Sequence, residues 1–286
     1  MPFWSKTNSK PWQVAGHSFY GGSVAGVGTS IILSELDLVF DVAQGWPEAI
    51  DCGRFFITHG HMDHAAGIPY LISQKNMNNH RAPEFYMPEY MIEPLHRIMK
   101  TWMELEDHEY KYNFIPIKPG ESIKLNAQHS VTAFQTVHRV VSQGYTVFRE
   151  NKKLKPEFLN KTPKELLDLK SRGKELHNPS REPMVSFTGD TQIEFLDGSE
   201  WVRNSQVLFL EVTYLDSKKP VAVAREWGHL HLDELVLRLK DLKCEKIAIM
   251  HLSRRYSPEH AKKIIFERIP SEYHERIFIV PPFGLG

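Results

Sequence analysis

Residues 55–64, FFITHGHMDH, set His59, His61, Asp63 and His64 within six positions directly behind an apolar run. Imidazole nitrogens favour zinc, and a carboxylate extends the range to harder ions such as manganese. Alternation at the end of a strand sends His59 and His61 to one side, while a turn into a following helix carries Asp63 and His64 to an adjacent point. Two ligand sets at neighbouring points predict a two-metal site. Completing ligands stand just past apolar runs: His138 after VTAFQTV, Asp190 in SFTGDT and His251 after KIAIM. With them two sets are filled and one carboxylate is left to bridge. Eight of the fifteen histidines, among them His80, His96, His108 and His274, stand in no such context.

The elements that must position these residues follow from pattern. RFFIT (54–58) reads as a short buried strand, and residues 65–77 have helical spacing, which puts Asp63 and His64 at a helix N-terminus. Upstream, HSFYGGSVAGVGTSIILSELDLVFDVAQG alternates glycine-rich turns with β-branched and aromatic runs, as strands joined by tight turns do. A helix is expected around EPLHRIMKTWMEL, then strands at VTAFQTVH and GYTVFRE. Later come strands in MVSFTGDT, SQVLFLEVTYL, KIAIMHLS and RIFIVPP, with helices over HLDELVLRLKDL and SPEHAKKIIFERI. That alternation predicts α/β layers. Residues 149–183 are lysine-rich, punctuated by prolines and poor in aromatics, as an insertion outside the core would be. No internal repeat is evident.

At 286 residues, with 41% hydrophobic and 24% charged residues, the chain has ordinary globular composition and can bury a large core. Its formal net charge is zero, so nucleic-acid affinity has to come from a local patch. Cys52 and Cys244 are far apart and form no CxxC pair, which points to a reducing compartment. The start, MPFWSKTNSKPW, has no apolar signal core, and no apolar run nears the roughly 20 residues of a membrane span. A cytoplasmic protein is expected.

HxHxDH, an isolated downstream histidine, GDT and a late strand-end histidine occur here in the order of the metallo-β-lactamase fold. LVFDVAQG resembles the strand end that supports the first metal loop in that fold, so Asp41 is expected behind the ligands. Within that superfamily the chain most resembles short-form tRNase Z, which trims the 3′ end of precursor tRNA, and is closest to the plant-type short forms. The likeness rests on FITHGHMDHAAGIP, LEVTYLD, GHLHLDEL and HLSRRY, and it spans nearly the whole chain apart from the insertion. The resemblance implies an α/β fold, an αββα sandwich of two packed mixed sheets flanked by helices, as a single domain over residues 1–286. It implies a tRNA-binding arm at 149–183.

Carried over by residue, the resemblance implies one zinc at His59, His61 and His138, a second at Asp63, His64 and His251, and Asp190 between them. Two zinc ions per subunit, with manganese as a substitute, would hold a bridging hydroxide and clamp the phosphate oxygens of an in-line displacement. Asp63 would orient that nucleophile or accept its proton. His229 would protonate the leaving ribose oxygen, with Glu211 keeping it charged. His231 stands where these enzymes often have Thr and is given no metal role.

Residues 149–175 carry nine Lys and Arg against five acids, a local basic excess in a neutral chain. Lys152, Lys153 and Lys155 are the candidate tRNA contacts there, and Arg254 and Arg255 beside His251 are candidates for the 3′-terminal phosphates. The arm lacks the Gly-Pro signature of many bacterial relatives, and GGSVAGVGTS stands in place of their Pro-x-Lys-x-Arg-Asn loop. The likeness also implies a homodimer acting on precursor tRNA. Two other functions fit parts of the pattern. One is a metallo-hydrolase for a small ester, such as a cyclic nucleotide or aryl sulfate, whose turnover would survive deletion of residues 150–180. The other is a metal-dependent RNA-binding protein without turnover.

Overall fold

The structure is a computed structural model that describes residues 10–282; most of the MPFWSKTNSKPW start lies outside them. The first half of the chain builds one seven-stranded mixed sheet whose strands lie in chain order: β1 (Trp12–Val14), β2 (His17–Val24), β3 (Gly28–Leu33), β4 (Leu38–Phe40), β5 (Arg54–Phe56), β6 (Glu84–Met87) and β7 (Asn113–Pro116). The second half builds another: β8 (Ser122–Lys124), β9 (His129–Gln135), β10 (Gln143–Leu154), β11 (His177–Phe187), β12 (Val207–Glu211), β13 (Lys246–Met250) and β14 (Ile277–Ile279).

In each sheet the first three pairings are antiparallel. The last three are parallel. The two halves therefore share one topology, a repeat that the residues themselves do not display. Tight turns can close only antiparallel pairs, whereas parallel neighbours need longer crossovers, so connection length sets the pattern more than side-chain identity does.

Apolar faces explain the layering. Phe19, Phe40, Phe56, Tyr145, Phe187 and Phe209 belong to one buried cluster contributed by both sheets. The outer face of the first sheet packs on α1 (Met62–Ala65), α2 (Ile68–Met77) and α3 (Ile92–Glu106) through Phe55, Phe85, Leu71 and Met99. After the arm helix α4 (Pro163–Ser171), the second sheet is covered by α5 (Phe195–Gly198), α6 (Glu200–Arg203), α7 (Val221–Glu226), α8 (Leu232–Arg238) and α9 (Pro258–Arg268). Its outer core includes Leu208, Leu210, Leu235 and Ile265. The expected layers of helix, sheet, sheet and helix are present.

Residues 149–183 are the segment expected as an insertion outside the core. They are the projecting end of the β10–β11 hairpin, whose pairing runs on from Arg149↔Glu182 to Leu154↔His177, with α4 at the tip. Two strands wetted on both faces lose the period-two apolar signal, so the sequence reads as a break where the ladder continues. Pro183 sits at the register shift beside Val147/Phe148, a position where the missing N–H costs nothing. The RFFIT strand also ends early, at Phe56.

Candidate metal centre

The site lies where strand ends of both sheets meet. Beyond Phe56 the chain leaves the ladder but stays extended, with ψ 149° at His61, the residue that caps α1. That segment presents His59 and His61, and the first turn of α1 presents Asp63 and His64. From the second sheet come His138 after β9, Asp190 after β11 and His251 after β13. The ligand atoms of His59, His61, His138 and Asp190 lie within 4.8 Å of one another, as do those of Asp63, His64 and His251.

Asp190 faces both groups. Its Oδ2 is 3.7 Å from His59 Nε2 and 4.0 Å from His138 Nε2. Its Oδ1 is 3.3 Å from both His64 Nε2 and His251 Nε2. Asp63 Oδ2 lies 3.3 Å from His251 Nε2 and accepts a 2.8 Å bond from Gly26 N–H, which ties the 24–28 turn to the site.

These groups fit metal ions better than they fit one another. His61 Nδ1 and His138 Nε2 are 3.2 Å apart, and His64 Nε2 and His251 Nε2 are 3.3 Å apart. Two nitrogens on one tetrahedral zinc, each at about 2.0–2.1 Å, stand about 3.4 Å apart. Among the described residues His59 Nε2 is buried with no hydrogen-bond partner, and Asp190 Oδ1 has none beyond its ion-pair contacts with His64 and His251. Such orphaned polar atoms are costly unless a cation completes them.

Acceptors behind the rings aim the free nitrogens inward. His64 Nδ1 meets Asp41 Oδ2 at 2.7 Å, and His59 Nδ1 meets Thr58 Oγ1 at 2.9 Å, whose hydroxyl in turn donates to Asp41. His138 Nδ1 donates to Gly228 O at 2.7 Å, and His251 Nδ1 lies 3.0 Å from Thr213 Oγ1, which donates to Glu211. Burial pushes His59, His61 and His138 below the usual imidazole range, toward the neutral, ligating form. For Asp190, burial opposes ionisation but the charges of His251 and His64 override it and hold the carboxyl well below its ordinary value.

Two of the left-handed non-glycine residues among the described ones fall at the site. His251 has φ 59° and Asp41 has φ 51°, left-handed conformations that cost a non-glycine residue energy and cluster at functional sites. Ser23 Oγ, from the other sheet, accepts the His251 N–H at 3.0 Å. In the GDT motif, Gly189 has φ +60°, and a Cβ there would come within 2.6 Å of Thr58.

Beside the ligands, His229 Nδ1 lies 2.9 Å from Glu211 Oε1 and 3.8 Å from Asp190 Oδ2. Burial disfavours charge on this imidazole, yet Glu211 and then Asp190 raise its pKa to about 9. Glu211 is fully buried and also accepts from Thr191 N–H at 2.8 Å and from Thr213. His229 sits in the loop between α7 and α8, not on a helix. His231 is the N-cap of α8: its Nδ1 accepts from Asp233 N–H and its Nε2 donates to Asp216 O, so neither nitrogen is free for a metal.

The remaining candidates lie outside the cluster. Arg254 and Arg255 are exposed in the turn after His251. Lys152 and Lys153 are exposed on the projecting end of β10, roughly 30 Å along the strand from Gln143 at its inner end. Thr58, Thr213, Ser23 and Gly26 support the site and were not foreseen; the hydroxyl beside a ligand at an apolar strand end, as in Thr58-His59, is the signal that marks the first of them.

The family model described as Anti-Pycsar protein Apyc1 matches residues 43–269. The tRNase Z TRZ1 of Arabidopsis thaliana is 30% identical over 94% of this chain and 96% of its own length. Among solved structures, the human tRNase Z, short form, is similar with TM-score 0.57 and 17% identity over 92% of this chain and 95% of that one. The metallo-beta-lactamase fold protein YhfI of Bacillus subtilis is similar with TM-score 0.59 and 15% identity over 90% and 93%. The architecture is that of the metallo-β-lactamase fold.

Proposed function

Because this chain belongs to the tRNase Z family, and over residues 43–269 to the family described as Anti-Pycsar protein Apyc1, we propose that it is a tRNA 3′-processing endoribonuclease. The observation that carries the reading is the cluster of seven His and Asp side chains with the Glu211–His229 pair set against it. In this reading His59, His61 and His138 would hold one zinc ion and Asp63, His64 and His251 a second, with Asp190 shared. When bound, the ions supply a reactive water at neutral pH and neutralise charge on the phosphate oxygens. Asp41 and the hydroxyls of Thr58 and Thr213 fix the imidazole tautomers.

Proton delivery falls to this chain's own residues. Glu211 holds His229 by Nδ1, while Nε2 makes no hydrogen bond among the described residues and is left to protonate the departing 3′ oxygen of the ribose. The tRNA then leaves with a 3′-hydroxyl. Asp63, fixed by Gly26 N–H, orients the attacking water or takes its proton.

The arm supplies grip away from the cut. Lys152, Lys153 and Lys155 have no ion-pair partner among the described residues, whereas Arg149, Lys161 and Arg172 are paired with Glu182, Glu165 and Asp168. Unpaired lysines on a projecting hairpin suit phosphate contacts. In this reading Arg254 and Arg255 would contact the 3′-terminal phosphates. Pairing of two chains belongs to the same reading: Ile98, Trp102 and Leu105 form an exposed apolar stripe on α3 that a second copy would cover. Free Cys52 and Cys244 suit the cytoplasm, and no helix among the described residues is long and apolar enough to cross a membrane.

The same His and Asp cluster would also suit a second reading, hydrolysis of a small phosphoester. Turnover of a precursor tRNA against turnover of bis(p-nitrophenyl) phosphate by one zinc-loaded preparation separates them. Preference for the precursor in kcat/KM supports the nuclease, and hydrolysis of the small ester alone refutes it.

A further inference from the structure

Trp227 and Arg139 stand at the rim of the centre and have no part in the account above. The Arg139 guanidinium lies over the Trp227 ring, 4.7 Å from its centroid, yet 50% of Trp227 remains exposed. Arg139 forms no ion pair among the described residues, so its five N–H donors are open. The cation–π contact holds the pair together, yet among the described residues the guanidinium donors and half of the indole still lack a role.

Their position gives them one. Arg139 follows the ligand candidate His138, and Trp227 stands two residues before His229. The two segments are pressed together at Gly228, whose carbonyl accepts from His138 Nδ1 at 2.7 Å. Gly228 has φ +77°, and a Cβ there would approach His138 Nδ1 to 2.7 Å and Arg139 N to 2.8 Å. The contact leaves little freedom between the indole and the two histidines, whose ring centroids are 5.2 Å apart.

We propose that Trp227 and Arg139 form a nucleobase subsite for the nucleotide on the leaving side of the cut, the base stacking on the open part of the indole while Arg139 contacts the adjoining phosphate. The assignment of the side rests on the functional reading above, because His229 protonates the departing ribose oxygen and Trp227 is next to it in the chain. An aromatic platform accepts any base by its π-face, and an arginine stacked against it adds charge without sequence preference. It would receive the last nucleotide of the tRNA body whatever its identity.

Two measurements on the zinc-loaded protein test this. The first compares kcat/KM for a precursor carrying either a normal or an abasic ribose immediately 5′ of the cut. Removing the base should slow the wild type by about 5- to 150-fold, the range for loss of one base–aromatic stack. Trp227→Ala should show that loss already and be indifferent to the base, and Trp227→Phe should recover most of the rate and the sensitivity. If Trp227→Ala keeps the full wild-type penalty for the missing base, the subsite is refuted.

The second needs no cleavage. Adenosine 3′-monophosphate should quench tryptophan fluorescence in the wild type but not in Trp227→Phe, and inorganic phosphate should quench neither. Equal quenching in both proteins, or none, overturns the proposal. If no precursor is cut at all, the functional reading fails and the titration alone judges the subsite.

Discussion

At the scale of single residues, the centre divides into groups legible in the sequence and groups that are not. The seven ligand-type residues stand out because each follows an apolar run, and a strand end is where a side chain can leave the core and reach a site. Their supports do not stand out. Ser23 meets the His251 backbone across 228 positions, and Thr213 matters only because Glu211 and His251 converge on its hydroxyl. Replacing His229 by Ala should lower kcat by roughly 10²–10⁴-fold, the usual contribution of a general acid, with zinc content unchanged. An unaltered rate would remove the acid role. Activity that needs protonated His229 is full below its pKa and is lost as pH rises through it. Since Glu211 is the main group raising that pKa, Glu211→Gln should move the alkaline limb of the kcat/KM profile to lower pH. A limb that stays in place would assign the titration to another group.

At the scale of elements, helices with a clear apolar stripe and strands buried on both faces were predictable, and α3, α9, β12 and β13 fall where the pattern puts them. The strands of the arm were not legible because β10 and β11 run out into solvent, where no buried face enforces alternation. The arm is a hairpin continuous with the second sheet, with α4 at its tip. Its lysines should act through phosphates. Replacing Lys152, Lys153 and Lys155 with Ala should raise KM for precursor tRNA and reduce the slope of log K against log salt by about one per lysine that contacts phosphate. An unchanged slope, measured by filter binding across a salt series, would show that the arm's charge is only solvated.

At the scale of the whole molecule, the two sheets repeat one topology, three antiparallel pairings and then three parallel, and the centre is assembled from both. His59, His61, Asp63 and His64 come from the first half, and His138, Asp190 and His251 from the second. Metal bound by these residues would therefore tie the halves together and stabilise only the folded chain. Chelation should lower the melting temperature, and added zinc should restore it; a melting temperature indifferent to chelator would contradict the ligand set. The repeat escaped the sequence because strand order is set by connections, which leave no mark in the apolar pattern. The most direct test of the account is to incubate the protein with a precursor tRNA bearing a 3′ trailer, with and without chelator, and map the ends. One cut just after the discriminator base, leaving a 3′-hydroxyl, abolished by chelator and restored by zinc, is the predicted result. Cleavage that ignores the chelator, or an intact precursor with the zinc-loaded protein, would contradict it.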